Sequence, residues 1–553
     1  MISFELTGIL SNLWYLKEMA LFCVSSLMVL PKNTFSWNIK FPCWKYLLFW
    51  IWTFTLCSQS AFSQTYSPIL ENLNTLSSRN QHDLIYIQLS KGIYETGEDL
   101  WFKTYVLDNQ HFMPSAKSKV LHVKVINEDS LKTVWEEKYE IVRGFADGHI
   151  YLGDTLSEGN YRLIAYTENS GYKGHKEYRG SRKLKIVGSI ANKLNVKKEY
   201  VKKFDTLLLC PEGGDLIAHL NNRVAFKAMD SVAYPVNVSG TLFMDGVPQV
   251  RFTSEHDGMG SFDFIPIPGR HYMVKIDQDN ENRSFPMALA LSTGAVLKSI
   301  KSLNNQLKLR VLSTNDLKDS KFYIRIQVRG VSYRMIEAKF KDSLDFNVHL
   351  DNIPQGVAEI TLFNHRLQPL AERLVYVNPT KRLYIKTKWS FGSSFNKREK
   401  VILELKVTDA NQNPIQANLG ISIYDYGYAN TEDPKNIFTH YYLSASLQGK
   451  IHNPQMYFGT LNPNRNRALD LLLMTNGWRR YTWRTENLKQ LPLLKSPMVS
   501  DSIQGFVHSK RRNQKGNFPV VLAYNPVYNN QIDFISPNES TGNFHIGPRH
   551  LKM

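Results

Sequence analysis

The chain has 553 residues and a formal net charge of +18, with 43% hydrophobic and 12% aromatic residues. This length exceeds what one hydrophobic core can organise, and it predicts about four modules of roughly 100–150 residues each. The 28 Tyr and 29 Phe residues exclude a largely disordered chain and favour half-buried β-strands over helical bundles.

The positive charge does not predict a nucleic-acid partner. Basic clusters are short and scattered, as at Lys197-Lys198 and Lys510-Arg511-Arg512. No zinc-finger, RRM or helix–turn–helix signature accompanies them. A solvated basic surface near acidic envelope polymers or lipid head groups is therefore favoured.

Residues 1–63 have the order of features of a secretory signal. An apolar run at 46–56 follows Lys40 and Lys45, and small residues at 60–63 precede Gln64. The run is shorter than the roughly 20 residues that span a bilayer, so cleavage is favoured, with an uncleaved anchor as the alternative. A second apolar stretch at 19–30 makes the leader long, and a start at Met28 would place residues 1–27 outside the protein.

Cysteine usage predicts no intramolecular disulfide in the exported chain. Cys23, Cys43 and Cys57 lie in the leader, which leaves Cys210 alone. Because Cys210 follows three leucines, the sequence predicts that it is a buried small hydrophobe.

Strand patterns follow the leader, after a short helix predicted for residues 67–76. Alternating apolar residues separated by turn chemistry predict β-sandwiches at 83–188, 203–290 and 293–380, a fourth at 382–485 that includes a helical segment, and a β domain at 500–553.

The stretch around Gly97 shows this alternation most clearly. After a turn at Gly97, four residues fall on one face of a strand and three on the other: Leu100, Phe102, Thr104 and Val106, against Trp101, Lys103 and Tyr105. We predict that Gly97 sets the turn and that Trp101 fills a core. Positive φ angles are likewise predicted for Gly213, Gly214, Gly258 and Gly260.

A short helix interrupts the β pattern near residues 465–477. Leu469, Leu472 and Leu473 have helical spacing, and Gly477 follows at the position of a helix C-terminus. We predict that this helix packs on the fourth sandwich and that Arg stems stack on Trp478 and Trp483. A cationic-aromatic ligand patch is the alternative.

Several of these stretches resemble one family. Residues 93–103 (IYETGEDLWFK), 144–148 and 159–167 resemble strands of a macroglobulin MG2 domain, and 211–214, 223–230 and 256–264 resemble a following domain. Residues 362–377 and 467–483 (RALDLLLMTNGWRRYTW) also match. The chain is similar to the macroglobulin-like envelope proteins of Bacteroidetes in the TonB-receptor-plug and carboxypeptidase-regulatory-like group.

The resemblance implies an all-β chain of tandem macroglobulin-like sandwiches, similar to immunoglobulin or fibronectin domains, with a helical connector. It implies that residues 500–553 form a truncated carboxypeptidase-regulatory-like domain. The plug-like domain that usually follows in the family is not implied, since the sequence stops at Met553. Macroglobulins carry a reactive Cys-Gly-Glu-Gln thioester, whereas this chain has Cys210-Pro-Glu-Gly.

Catalytic signatures are absent from the sequence. It has 15 histidines but no H-E-x-x-H, C-x-x-C or G-x-S-x-G spacing, and His122 and His149 fall within strand patterns. We therefore predict no catalytic, cofactor-binding or metal-binding residue and no cofactor.

The sequence as a whole predicts a non-enzymatic, exported scaffold or binding protein of the cell envelope, in the periplasm or associated with the outer membrane. The resemblance implies partners in the TonB-dependent uptake system or an extracellular protein or polymer, with membrane association through the N-terminal segment. A macroglobulin-type endopeptidase inhibitor without a thioester is the alternative function.

Overall fold

The computed structural model describes residues 2–10, 74–75, 77, 81–170, 180–190, 203–303, 305–389, 398–430, 433–459, 462–478, 503–506, 521–524, 532–536 and 543–546. Strands dominate these residues and form several separate sheets. The predicted all-β class is therefore confirmed. The first strand is β1 (Ile2–Leu10), whereas the apolar run predicted for the leader lies outside the described residues, as does most of the helix predicted at 67–76.

The first sandwich contains β2 (Asp83–Leu89), β3 (Ile93–Glu95), β4 (Glu98–Asp108), β5 (Val120–Asn127), β6 (Thr133–Glu140), β7 (Phe145–Leu152), β8 (Gly159–Tyr166) and β9 (Gly180–Val187). One sheet has the order β2-β4-β7 and the other β3-β9-β8-β5-β6. Neighbouring strands are antiparallel except β3 and β9, which are parallel. Alternate residues of β5 and β8 face the core between the sheets.

The two faces of β4 divide as the alternation predicts, but the role predicted for Trp101 is wrong. Leu100, Phe102, Thr104 and Val106 are all buried. Trp101 points away from them, is 55% exposed and rests on the His149 ring, with 4.7 Å between ring centroids. Adjacent strand residues point to opposite faces, and solvent reaches this end of the outer face.

The second sandwich contains β10 (Thr206–Pro211), β11 (Asn222–Met229), β12 (Ser239–Met244), β13 (Val247–Thr253), β14 (Met259–Phe264), β15 (Tyr272–Ile276) and β16 (Ser284–Pro286). Its sheets have the orders β10-β11-β14 and β13-β12-β15-β16. Between them lies an aromatic core in which the Phe252 ring stacks on Phe262 and meets Phe226 at a tilt. These rings supply much of the apolar area that the sandwich buries.

The third sandwich contains β17 (Ala295–Leu303), β18 (Gln306–Ser313), β19 (Lys321–Val328), β20 (Val331–Lys339), β21 (Ser343–His349), β22 (Gly356–Asn364) and β23 (Pro369–Val377). Its sheets have the orders β17-β18-β21 and β20-β19-β22-β23. Phe322, Ile324, Ile326 and Val328 are fully buried. These four alternate residues share one face of β19, and that face covers the core of the sandwich.

The glycine predictions are mostly confirmed. Gly97, Gly213, Gly214 and Gly258 have φ angles of 79°, 93°, 115° and 69°, in the region that a Cβ disfavours. Gly260 has no such φ, so its prediction is wrong. A Cβ at Gly260 would lie 2.6 Å from the Thr253 carbonyl oxygen and 2.6 Å from the Phe226 ring. This glycine is required by close packing.

The next strands form smaller sheets. β24 (Tyr384–Trp389) pairs with β25 (Leu403–Thr408), and β26 (Ala417–Asp425) pairs antiparallel with β1. β26 also lies against the first sandwich, where the Ser422 hydroxyl accepts from Gln88 and donates to the Leu89 carbonyl. Near the C-terminus, β27 (Ile503–Phe506) pairs with β30 (Asn543–Ile546), and β28 (Val521–Tyr524) pairs with β29 (Ile532–Ile535).

Two α-helices lie between β26 and β27 among the described residues. Helix α1 (Ile437–Tyr442) begins with a capping box in which Asn436 and Thr439 exchange hydrogen bonds. Helix α2 (Arg465–Thr475) matches the predicted helix, and Gly477 follows it. In the described part of the chain, no helix has the length and apolar character needed to cross a bilayer.

Candidate functional site: the helical hub

The described residues of 433–478 form a helical hub that contacts the first three sandwiches. Helix α2 packs against β10, β11 and β14 of the second sandwich and β23 of the third. Helix α1 packs against β2 of the first. The prediction that the helix packs on the fourth sandwich is therefore wrong. Trp478 donates its indole N–H to the Pro211 carbonyl of the second sandwich at 3.0 Å, and Trp483 lies outside the described residues.

The burial of α2 explains why it needs two partners. Its last five residues, 471–475, are all buried, together with Ala468 and Leu469. A helix that is apolar around most of its circumference must be covered on more than one side. Leu472 and its neighbours meet Cys210 and Met259 on one side and Leu374 and Tyr376 on the other.

A triad of charges joins the second sandwich, the third sandwich and α2; two of its members are buried and the third, Asp470, is 28% exposed. Arg373 Nε lies 2.8 Å from Glu212 Oε1, and Arg373 Nη2 lies 2.6 Å from Asp470 Oδ1. Its Nη1 donates to the Leu374 carbonyl at 2.6 Å. Glu212 belongs to the second sandwich, Arg373 to the third and Asp470 to α2. The triad therefore holds the helix between both sandwiches.

The positive charge of Arg373 is maintained by its two carboxylate neighbours. The side chains of Arg373 and Glu212 are 2% and 0% exposed. Burial by itself would lower the pKa of Arg373, but Asp470 and Glu212 raise it above the ordinary value. The guanidinium stays protonated and cannot serve as a proton donor in a reaction. Its role in the hub is structural.

Further polar contacts fasten α2 to the second sandwich. Arg467 makes a bidentate pair with Glu255 at 2.8 and 2.6 Å and also donates to Ser261 at 2.7 Å. At the other end of α2, Lys227 Nζ donates to Asn476 Oδ1 at 2.8 Å. The planar guanidinium fits a carboxylate through two parallel bonds, which fixes orientation as well as distance. Both ends of the helix are thereby positioned.

Helix α1 is anchored to the backbone of the first sandwich. The buried Tyr441 hydroxyl donates to the Tyr105 carbonyl at 2.8 Å. The preceding residue, His440, is also buried and lies against the Tyr86 ring, 5.5 Å between centroids. Arg329 of the third sandwich donates to the Gln110 carbonyl of the first at 2.7 Å. The first and third sandwiches are thus also joined directly.

His440 makes the hub sensitive to acid. Burial lowers the pKa of its imidazole to about 3 from the ordinary 6.5; Lys435 contributes, and a hydrogen bond with the Ile85 backbone opposes the shift. Below pH 6.5 the unfolded chain binds a proton at His440 that the folded chain does not bind. Stability supported by the neutral ring is therefore full above pH 6.5 and falls towards pH 3, by up to about 1.4 kcal/mol per pH unit.

We expect His440→Gln to flatten the fall in the free energy of unfolding between about pH 6 and pH 4. Urea denaturation at a series of pH values measures this slope. The matched control is His349→Gln, because His349 is exposed on β21 and should leave the slope unchanged. If the free energy of unfolding has the same pH slope in the parent and in His440→Gln, the acid sensitivity does not come from His440.

An aromatic cleft of about 550 Å³ opens beside α1. Its walls come from the turn after β4, the start of β24 and the hub, with Phe112, Tyr384, Phe438 and Phe458 among the lining residues. Phe438 and Phe458 meet edge to face at 4.9 Å, and the Arg382 guanidinium lies 5.6 Å from the centre of the Phe438 ring. The cleft combines apolar surface with a cation, as in many sites that bind organic ligands.

The acid and base pair beside this cleft, Asp108 and His111, forms part of a turn. Asp108 lies 3.4 Å from His111 Nδ1. Its two oxygens also accept backbone N–H bonds from Gln110, His111 and Met113, so the carboxylate closes the turn after β4. This pair therefore has a turn-forming role that needs no catalytic function.

Other reactive groups behave as the sequence predicts where the structure describes them. Cys210 is buried, as predicted, and burial raises the pKa of its thiol to about 12, with Lys227 opposing the shift. His122 and His149 lie in strands β5 and β7, as predicted. Within the ranges that the structure describes, no group of three or more His, Cys, Asp or Glu side chains could hold a metal ion.

No site residue is predicted from the sequence, and the triad is not evident in the sequence patterns. Glu212 and Asp470 lie inside stretches that carry the resemblance, where their charges play no part in it. The available signal was Arg373, which has the same strand parity as the buried Ala371 and Val375. A charged residue at an inward position of a strand requires a buried partner.

Comparisons with known proteins give no family assignment. No family model and no curated protein matches the chain. Similar solved structures include latent PorU from Porphyromonas gingivalis (11% identity, 53% of this chain and 34% of that chain, TM-score 0.25), trypsin-activated alpha-2-macroglobulin from Escherichia coli (10%, 63% and 29%, 0.17) and the tetra-tandem repeat of a large adhesion protein (11%, 63% and 89%, 0.16). The chain spans about a third of the PorU and macroglobulin chains. At these TM-scores the similarities carry no argument, and the fold class rests on the sheets described above.

Proposed function

We propose that the chain is an exported, non-enzymatic scaffold or binding protein of the cell envelope, built from macroglobulin-like sandwiches and working alongside TonB-dependent uptake. The carrying observation is the helical hub, in which the triad joins two sandwiches and a helix through Arg373. A linked set of sandwiches presents its surfaces at fixed positions, which suits a scaffold or binding arm. The proposed compartment and family come from the leader and the sequence motifs.

The hub makes the arm stiffer than a chain of independent domains. Contacts between domains of one chain are generally modest, so that relative motion is the ordinary expectation. Here a helix buried on several sides, a charge triad and a backbone bridge between Gly213 and Glu372 cross the boundary between the second and third sandwiches. Surfaces on these modules therefore keep their relative orientation when a partner binds.

Cell fractionation tests the compartment. We expect the protein in the envelope fraction. Its mass should correspond to a chain that begins near Gln64, after removal of residues 1–63. A cytosolic protein that retains residues 46–63 would overturn the proposal. A full-length protein held in the membrane would instead support the uncleaved anchor.

Gene deletion tests the role in uptake. We expect slower growth on a nutrient imported by a TonB-dependent receptor, restored by the wild-type gene, and unchanged growth on a nutrient that enters by diffusion. Equal growth of the deletion strain on both nutrients would contradict the proposal.

The inhibitor alternative predicts that the purified chain is cleaved by a protease and then blocks that protease on a large substrate.

A further inference from the structure

A basic cavity of about 370 Å³ opens between the first sandwich and the helical hub. It shares no lining residue with the aromatic cleft. The charged residues in its lining are four cations and one carboxylate: Arg162, Lys183, Lys435, Lys450 and Asp433. Its volume lies in the range of small-ligand sites, roughly 300–1,000 Å³.

The carboxylate in the lining is already engaged behind the cavity. Asp433 Oδ2 accepts from Arg182 Nε at 3.1 Å and from the Lys183 backbone N–H at 3.0 Å. Arg182 is itself buried and does not line the cavity. The other oxygen of Asp433 lies 3.9 Å from Lys435 Nζ. One carboxylate therefore faces two cations.

A second carboxylate is also divided between two cations. Glu128 pairs with Arg162 and lies 3.4 Å from Lys183 Nζ. Together, Asp433 and Glu128 face Arg162, Arg182, Lys183 and Lys435. Among the residues that the structure describes, the cations at the cavity thus outnumber the carboxylates that face them.

The remaining lysines reinforce this excess. Lys435 Nζ donates to the Ser181 carbonyl at 2.9 Å, and an ammonium group carries three donor protons in all. Burial lowers the pKa of Lys435; Asp433 opposes the shift, while Arg182, Arg162 and Lys183 contribute to it. Lys450 lies 4.2 Å from the centre of the Tyr234 ring, and no ion pair joins it to a carboxylate of the described residues.

The geometry points to an anionic sugar unit as the ligand of the basic cavity, with its carboxylate or phosphate against Lys183, Lys435 and Lys450. An anion there supplies the missing counter-charge through charge-assisted hydrogen bonds. Pro434, Ile451 and Pro454 offer an apolar surface for the C–H face of a ring, and the Ser181 and Ser444 side chains lie within the same lining. The inference rests on the proposed binding function and names its ligand class.

Calorimetric titration of the purified full chain tests the site. The probes are glucuronate, glucose 6-phosphate, inorganic phosphate and glucose. We expect both charged sugars to bind, inorganic phosphate to bind more weakly, and glucose not to bind. A higher salt concentration should weaken the binding of the charged probes, because the cavity lining is partly open to solvent.

Two variants separate the cavity from the total charge of the protein. The double variant Lys183→Glu/Lys450→Glu should lower the affinity for glucose 6-phosphate by at least about tenfold, the scale of a lost charge-assisted contact. Lys339→Glu, an exposed lysine of β20 in the third sandwich, should leave the affinity unchanged. Lys450→Gln, at an exposed position, should weaken binding with unaltered thermal unfolding, which separates a binding effect from a folding defect.

Three results would overturn the inference. These are equal binding of glucose and glucose 6-phosphate, equal weakening by Lys339→Glu and by the double variant, or no binding of any charged probe up to about 10 mM. Equal affinity for inorganic phosphate and glucose 6-phosphate would overturn the proposed contact between the sugar ring and the apolar surface of the cavity. A cytosolic location would overturn the proposed function but leave these titrations unaffected, so the two failures are distinguishable.

Discussion

Arg373→Met is expected to lower the free energy of unfolding by about 3–5 kcal/mol, the cost of breaking a buried ion pair from one side. The substitution leaves the buried Glu212 carboxylate facing Met in place of the guanidinium 2.8 Å away. It also removes the nearer of two cations that pair with Asp470 on α2, since Arg467 lies 3.7 Å away. The second and third sandwiches and the helix should therefore lose their common anchor.

Differential scanning calorimetry and hydrogen exchange measure this effect. We expect the main transition to move to lower temperature and to split, with amides of α2 and β23 exchanging faster than the core of the first sandwich. Arg310→Met is the matched control, since Arg310 also bonds a carboxylate group through its Nε and Nη2, but it does so with Asp345 on an exposed surface, where ion pairs contribute little. If both variants unfold like the parent, the triad does not hold the hub.

A further variant separates the lost interaction from the stranded charge. Glu212→Gln/Arg373→Met/Asp470→Asn removes all three charges and should recover much of the stability lost in Arg373→Met, because no buried ion remains without a partner. Recovery would show that the triad chiefly specifies which surfaces meet. Failure to recover would show that the ion pairs themselves contribute the stability.

Phe102→Ala should cost about 3–5 kcal/mol, as expected for removing a buried aromatic ring. Phe102 is 4% exposed and meets the Tyr139 ring edge to face, 4.9 Å between centroids. Its neighbour Trp101 is larger but more than half exposed. Trp101→Ala should therefore cost about 1 kcal/mol or less, mainly the stacking on His149.

The adjacent pair is its own control, because both changes truncate an aromatic side chain on the same strand. Thermal and urea unfolding of the two variants measure the difference. A larger loss from Trp101→Ala than from Phe102→Ala would place the core on the wrong face of β4. Similar losses from both would show that another part of the protein covers Trp101.

The hub connects these local features to the proposed function. The aromatic cleft and the basic cavity both lie where the hub meets the first sandwich, and each takes lining residues from both. Their shapes therefore depend on how α1 and its flanking residues are seated. A change that loosens the hub, such as Arg373→Met or protonation of His440 at low pH, should also weaken the binding of ligands in either cavity.

Local sequence patterns determined the fold class and the faces of many strands. Period-two alternation predicted the buried side of β4 and the core-facing side of β19, and leucine spacing with Gly477 predicted α2. These features depend on residues a few positions apart, where the geometry of a strand or helix alone decides which side chains share a face. The burial of Cys210 followed in the same way from its apolar neighbours.

Only the tertiary structure decided how the modules meet. Arg373 lies 161 positions from Glu212 and 97 positions from Asp470, and no local period links residues so far apart. The outer face of β4 shows the same dependence: Tyr105 is buried beneath α1, whereas Trp101, on the same face, is exposed. Alternation assigns a residue to a face, but coverage of that face depends on which distant segment packs there.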